Sequence, residues 1–144
     1  MISTEQTRRW GQAWVFLALA IALHVADEAI TGFLPLYNSI VGSLRETWSW
    51  IPLPTFSFRV WLAGLAAGVL VILGISPLIF AGKTYLRPVA FGLGVLMVAN
   101  ALVHIGASIY LRTLAPGVLS SPILLLAALS VLTTTVRYRE SARD

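Results

Sequence analysis

The chain has 144 residues, of which 58% are hydrophobic and 11% charged, and its mean hydropathy is +0.84. A soluble domain carries about 25% charged residues, and a chain this short leaves roughly a third of its unfolded surface in water, so neither a soluble globule nor a disordered chain fits. The net charge of +4 comes from 10 basic and 6 acidic residues, and the basic ones stand between and outside apolar runs, where lipid headgroups and cytoplasmic loops call for them, with none of the basic stripes that bind nucleic acid.

The first ten residues are polar and hold Arg8 and Arg9. The apolar run that follows, from about Trp10 to Leu34, has no small-residue cleavage site and contains His24, Asp27 and Glu28, so it reads as an uncleaved first span and not as a signal peptide. Residues 35–57 form a connection with Pro35, Pro52, Pro54, Trp48 and Trp50, the composition of a segment at the membrane interface. A second apolar run covers about 58–80, and a tight polar turn, 81–87, leads to a third at about 88–111. A short connection with Arg112, Pro116 and Gly117 precedes the fourth, about 118–136. Each run has the roughly 20 residues that cross a hydrocarbon core. Without water each must be a helix that satisfies its own backbone. The expected fold is therefore all-α, a four-helix transmembrane bundle with residues 1–144 as one membrane domain.

Basic residues orient the bundle. With the N-terminus inside, the inner side carries Arg8, Arg9, Lys83, Arg87, Arg137, Arg139 and Arg143, against Arg45, Arg59 and Arg112 outside. This predicts that both termini are cytoplasmic. Gly64 and Gly68, with Ala63 and Ala67 beside them, form a small-xxx-small pair, and Gly92, Gly94, Ala99 and Gly106 recur on the third run. Helices in lipid approach closely at such residues, which are expected to mark interhelical faces; the Gly64/Gly68 face is a candidate for pairing with a second copy of the chain. The absence of cysteine removes disulfides, thiolate metal sites and cysteine nucleophiles.

The polar residues within the spans carry the chemistry. At 100° per residue, Asp27 lies roughly 60° to one side of His24 and Glu28 roughly 40° to the other, so one imidazole and two carboxylates share an arc of one turn. On the third helix Asn100, His104 and Ser108 advance by four and form a polar stripe. His24 lies roughly 21 Å along the first span and His104 roughly 24 Å along the third, which puts both groups in one layer of the outer half of the bilayer. Arg59, Ser120 and Ser121 open the second and fourth helices near the same level. Charges within a membrane cost a few kcal/mol each, so they face inward, pair and mark function.

His24, Asp27 and Glu28 on one helix, with Asn100 and His104 on a later one and Pro116-Gly117 after it, resemble the HXXEE family of small bacterial membrane proteins, with Asp27 where the family usually has its first Glu. The resemblance implies a multi-pass protein of the bacterial inner membrane and supports this choice of residues, without a reaction.

Imidazole and carboxylate are the ligands of zinc or ferrous iron. His24, Glu28 and His104, with Asp27 as ligand or base, are the expected ligand set. Asn100 would bond a ligand or substrate, and Arg59 would pair with the carboxylates. Asp27, Glu28 and His104 are the candidate catalytic groups, acting on a lipophilic molecule that arrives through the membrane lipids. The same residues suit metal-free acid–base isomerisation or cyclisation of a lipid or terpenoid, a proton or cation relay or transport unit, and a structural subunit of a membrane assembly. Two histidines at matched depth also suit the axial positions of a haem, although two adjacent carboxylates argue against it.

Overall fold

The computed structural model describes residues 4–50 and 52–140, apart from the side chains of Arg139 and Glu140; Arg143 and the Arg139 side chain, which enter the charge count, lie outside it. The fold is all-α. Helix α1 spans Thr4–Thr31, α2 Phe33–Thr47, α3 Phe58–Phe80, α4 Arg87–Leu111 and α5 Ser121–Glu140, with a short 3-10 turn, Thr84–Leu86, before α4. The four helices other than α2 are long and apolar enough to cross a membrane.

Helix α1 is the centre of the bundle. It packs along α3 and α5, and α4 packs along α5. Trp10, Trp14 and Leu17 of α1 are buried against Ile79 of α3 and Leu124, Ala127, Ala128 and Val131 of α5. Both indole N–H groups find acceptors: Trp10 Nε1 donates to Thr135 Oγ1 at 3.0 Å and Trp14 Nε1 to the Ile72 carbonyl at 2.8 Å. A tryptophan can lie deep in an apolar core only on such terms. Tyr138 stacks near Trp10 and donates to the Gly82 carbonyl at 3.1 Å, so the start of α1, the turn after α3 and the end of α5 share one end of the bundle.

The connection 35–57 is more ordered than its prolines suggest. Gly32, at φ +82°, ends α1 in the left-handed conformation, and α2 starts at once. Pro35 falls in the first turn of α2, where a missing N–H removes no helical bond. Leu34, Tyr37, Val41 and Leu44 follow at helical spacing, with Leu34 and Val41 buried. At 15 residues α2 is too short to span a membrane. The extended segment after it is tied back to α2: Tyr37 Oη donates to the Pro54 carbonyl at 3.0 Å, Asn38 exchanges two hydrogen bonds with the Phe56 backbone, and the Arg45 guanidinium donates to the Leu53 carbonyl.

The small residues divide differently from the sequence expectation. A Cβ on Gly94 would stand 2.9 Å from the Leu132 side chain, so this glycine sets the α4–α5 approach. Gly11 is equally constrained, by the Phe80 ring. Gly64, Gly68, Gly92 and Gly106 are exposed with open space beyond them and mark no interhelical contact among the described residues. Glycine's scarcity of side-chain atoms serves close approach only where another helix arrives. Gly94→Leu should therefore overpack the α4–α5 seam and cost about 1–3 kcal/mol. Gly68→Leu should stay within about 0.5 kcal/mol of the parent. Thermal unfolding of the two variants in detergent checks the contrast.

Candidate metal centre

His24 and Glu28 stand one turn apart on α1, and His104 reaches them from α4. All three are buried, at 4%, 5% and 5% exposure. Glu28 Oε1 lies 3.1 Å from His104 Nε2 and 3.5 Å from His24 Nε2. The imidazole rings meet edge to face, with centroids 4.9 Å apart. One donor atom from each residue falls within 4.8 Å of the others.

The outer nitrogens of both rings are occupied. His104 Nδ1 faces the Pro116 carbonyl, a pure acceptor, and so carries the proton. His24 Nδ1 lies 2.9 Å from Ser120 Oγ. That hydroxyl donates to Asp27 Oδ2 at 2.7 Å and so accepts from His24 Nδ1–H. In their neutral forms both imidazoles then turn an Nε2 lone pair toward the Glu28 carboxylate. Hydrogen bonding at one ring nitrogen sets the ligating tautomer at the other. His24 Nε2 is buried and has no hydrogen-bond partner among the described residues.

Asp27, although next to Glu28, is directed elsewhere. It is half-buried and accepts from Ser120 N at 2.9 Å and from Ser120 Oγ. Its carboxylate thus sits at the start of α5, where free N–H groups and the helix dipole favour negative charge. The one position at which this chain departs from two glutamates therefore holds the α1–α5 junction and orients His24 through Ser120. The structure does not place it among the three converging donors.

A turn closes the site from above. Gly117 has φ +81°, and a Cβ there would lie 2.9 Å from His104 Nδ1 and 3.0 Å from His24 Cε1. Its N–H donates to Thr31 Oγ1 at 3.1 Å, and its carbonyl accepts from Ser121 Oγ at 2.8 Å. Ser108 Oγ, the last residue of the α4 stripe, accepts from Ala115 N at 2.9 Å and ties down the same connection. Phe33, the first residue of α2, stands against His104 with ring centroids 5.5 Å apart. Thr31, Gly117, Ser120 and Phe33 thus join the site by contacts that span the chain. Their signal in the sequence is limited to the Pro-Gly turn and the Ser120-Ser121 pair that begin α5.

The other expected residues fall outside the cluster. Asn100 lies one turn from His104, and its Oδ1 is buried with no partner among the described residues. Arg59 does not pair with the carboxylates: it is exposed in the first turn of α3 and makes no ion pair among the described residues. A guanidinium near the end of a spanning helix keeps its hydration by pointing outward, and Asp27 already has its donors in Ser120.

A family model described as a protein of unknown function with HXXEE motif matches residues 14–132. The chain belongs to the HXXEE family. The match covers α1 from Trp14, α2, α3, α4 and most of α5, so it includes every group of the cluster. No curated protein and no solved structure matches the chain.

Proposed function

We propose that this HXXEE protein is a metal-binding membrane protein in which His24, Glu28 and His104 hold one divalent ion, zinc or ferrous iron, and present it to a lipophilic molecule from the bilayer. The termini would be cytoplasmic, in a bacterial inner membrane. One observation carries the reading: two imidazole Nε2 atoms and a carboxylate oxygen converge on one buried point while both outer ring nitrogens are bonded elsewhere. Three acceptors would repel one another there unless a metal ion or a proton lies among them, and a buried carboxylate needs a partner of opposite charge.

The donor set fits such an ion. Around tetrahedral zinc, donors at about 2.0–2.1 Å from the metal stand roughly 3.3 Å from each other; the two distances to Glu28, 3.1 and 3.5 Å, match this, while the donor set as a whole spans up to 4.8 Å and would have to draw in around an ion. Three protein donors leave coordination positions open, and a bound ion would supply Lewis acidity there. The chain's own residues do the rest. Ser120 and Pro116 fix the ring orientations, Asn100 offers an unused acceptor to a substrate donor, and the Phe33 ring keeps water from His104. A haem suits this arrangement poorly, because the Glu28 oxygen stands against both Nε2 atoms and leaves no space for a macrocycle between the rings.

Elemental analysis of protein purified in mild detergent, or dialysed against zinc or ferrous iron under argon, tests the reading. About one ion per chain is expected, the stoichiometry of a single three-ligand site. Protein that remains metal-free after both treatments contradicts it and leaves the cluster to proton chemistry.

A further inference from the structure

A groove of about 380 Å³ runs beside the centre, lined by Phe33, Tyr37, Phe56, Val60, Trp61, Gly64 and Leu65. The size is within the roughly 300–1,000 Å³ of small-molecule sites. The geometry points to a binding site for a single hydrocarbon chain of a membrane lipid, which runs along this groove and ends against Phe33. The inference rests on the metal reading only for what the lipid then meets.

Four features support that occupant. The lining is aromatic and aliphatic: its one hydroxyl, on Tyr37, is already donated to the Pro54 carbonyl, which leaves the Trp61 indole N–H as its single side-chain donor and gives an otherwise apolar surface. The groove is preformed: Asn38 clamps the Phe56 backbone from both sides, and the rings run in series, Phe33 to Tyr37 at 6.2 Å and Tyr37 to Phe56 at 6.1 Å. Preorganised walls bind without an added cost of ordering. Gly64 leaves open space on the α3 side, where a side chain would narrow the groove. The groove also lies at the level of the centre. Val60 to Leu65 lies within roughly the first 11 Å of α3, and Phe33 contacts Trp61 of the groove on one side and His104 of the centre on the other. Phe33 is thus a partition between the hydrocarbon site and the metal ligands.

Palmitic acid carrying a terminal diazirine is the probe. It is added in increasing amounts to the full chain in detergent, irradiated, and its adducts are mapped by mass spectrometry. Saturable labelling is expected on the groove residues, and Gly64→Trp should lower it about tenfold, which is the loss of roughly 1.4 kcal/mol of binding. Gly68→Trp, one turn along α3 and outside the lining, should leave it unchanged. Val60→Trp repeats the block from the mouth of the groove if Gly64→Trp does not fold. Labels spread evenly over α3 and α4, or labelling untouched by the blocking variants, overturn the proposal. Metal content is measured on the same samples. In the parent protein, bound metal without saturable groove labelling defeats the hydrocarbon site alone, whereas groove labelling without metal defeats the metal reading alone.

Discussion

Glu28→Gln is expected to abolish metal binding and to leave the metal-free protein at least as stable as the parent. The carboxylate is the common neighbour of both Nε2 atoms, at 3.1 and 3.5 Å, and carries the only formal negative charge among the three donors. Glutamine keeps the volume but removes that charge. Affinity should fall at least roughly a hundredfold, the upper end of what substitution of groups behind a metal ligand costs. The stability effect runs the other way. Without metal, the His24 Nε2 of the parent is buried with no hydrogen-bond partner among the described residues, and an amide gives it a donor, which relieves a penalty of about 1–3 kcal/mol for an unsatisfied buried group. Asp27→Asn is the contrast. It disturbs the Ser120 contact that orients His24, so affinity should drop only about tenfold. Isothermal titration with zinc and thermal unfolding of the metal-free proteins separate the two. Equal losses for both variants would mean that Asp27 is itself a ligand.

Gly117→Ala should be the most damaging substitution outside the donor set. Two effects coincide at this position. The positive φ costs a side chain about 1–2 kcal/mol. The added methyl would also stand 2.9–3.0 Å from both imidazoles and push them off the centre. Gly32 separates these effects, because its φ of +82° matches the +81° of Gly117 while no atom lies within 4 Å of a Cβ there. Gly32→Ala should therefore show the backbone cost alone, with metal affinity intact. Gly117→Ala should lose an additional factor of roughly 10–100 in affinity, as displaced metal ligands do. Identical metal affinities for the two variants would remove the turn from the site.

The membrane bundle was legible in the sequence because hydrophobic length is an almost unambiguous signal in lipid. The meeting of His24, Glu28 and His104 was legible for a related reason. In a spanning helix the rise per residue converts position into depth, and the four-residue spacing of Asn100, His104 and Ser108 defines a face. Rotation about the helix axis was not legible to better than the width of that face. Asp27 and Glu28 share one arc from His24, yet Glu28 joins His104 while Asp27 turns to the start of α5. The choice depends on where the 112–120 connection brings Ser120, which local spacing does not encode. Helix α2 was hidden by Pro35, since a proline interrupts a helix except in its first turn, and only the Leu34, Tyr37, Val41 and Leu44 stripe betrays it. Gly64 and Gly68 looked like contact residues because the pattern of small residues is the same whether or not a second helix arrives.

X-ray absorption spectroscopy of the zinc-loaded protein, measured on the parent and on His104→Ala, tests the convergence of the three donors most directly. The parent spectrum should show two imidazoles and oxygen ligands at about 2.0–2.2 Å, and His104→Ala should retain one imidazole if it binds zinc at all. A parent spectrum without imidazole scattering, or one unchanged in His104→Ala, would contradict the account.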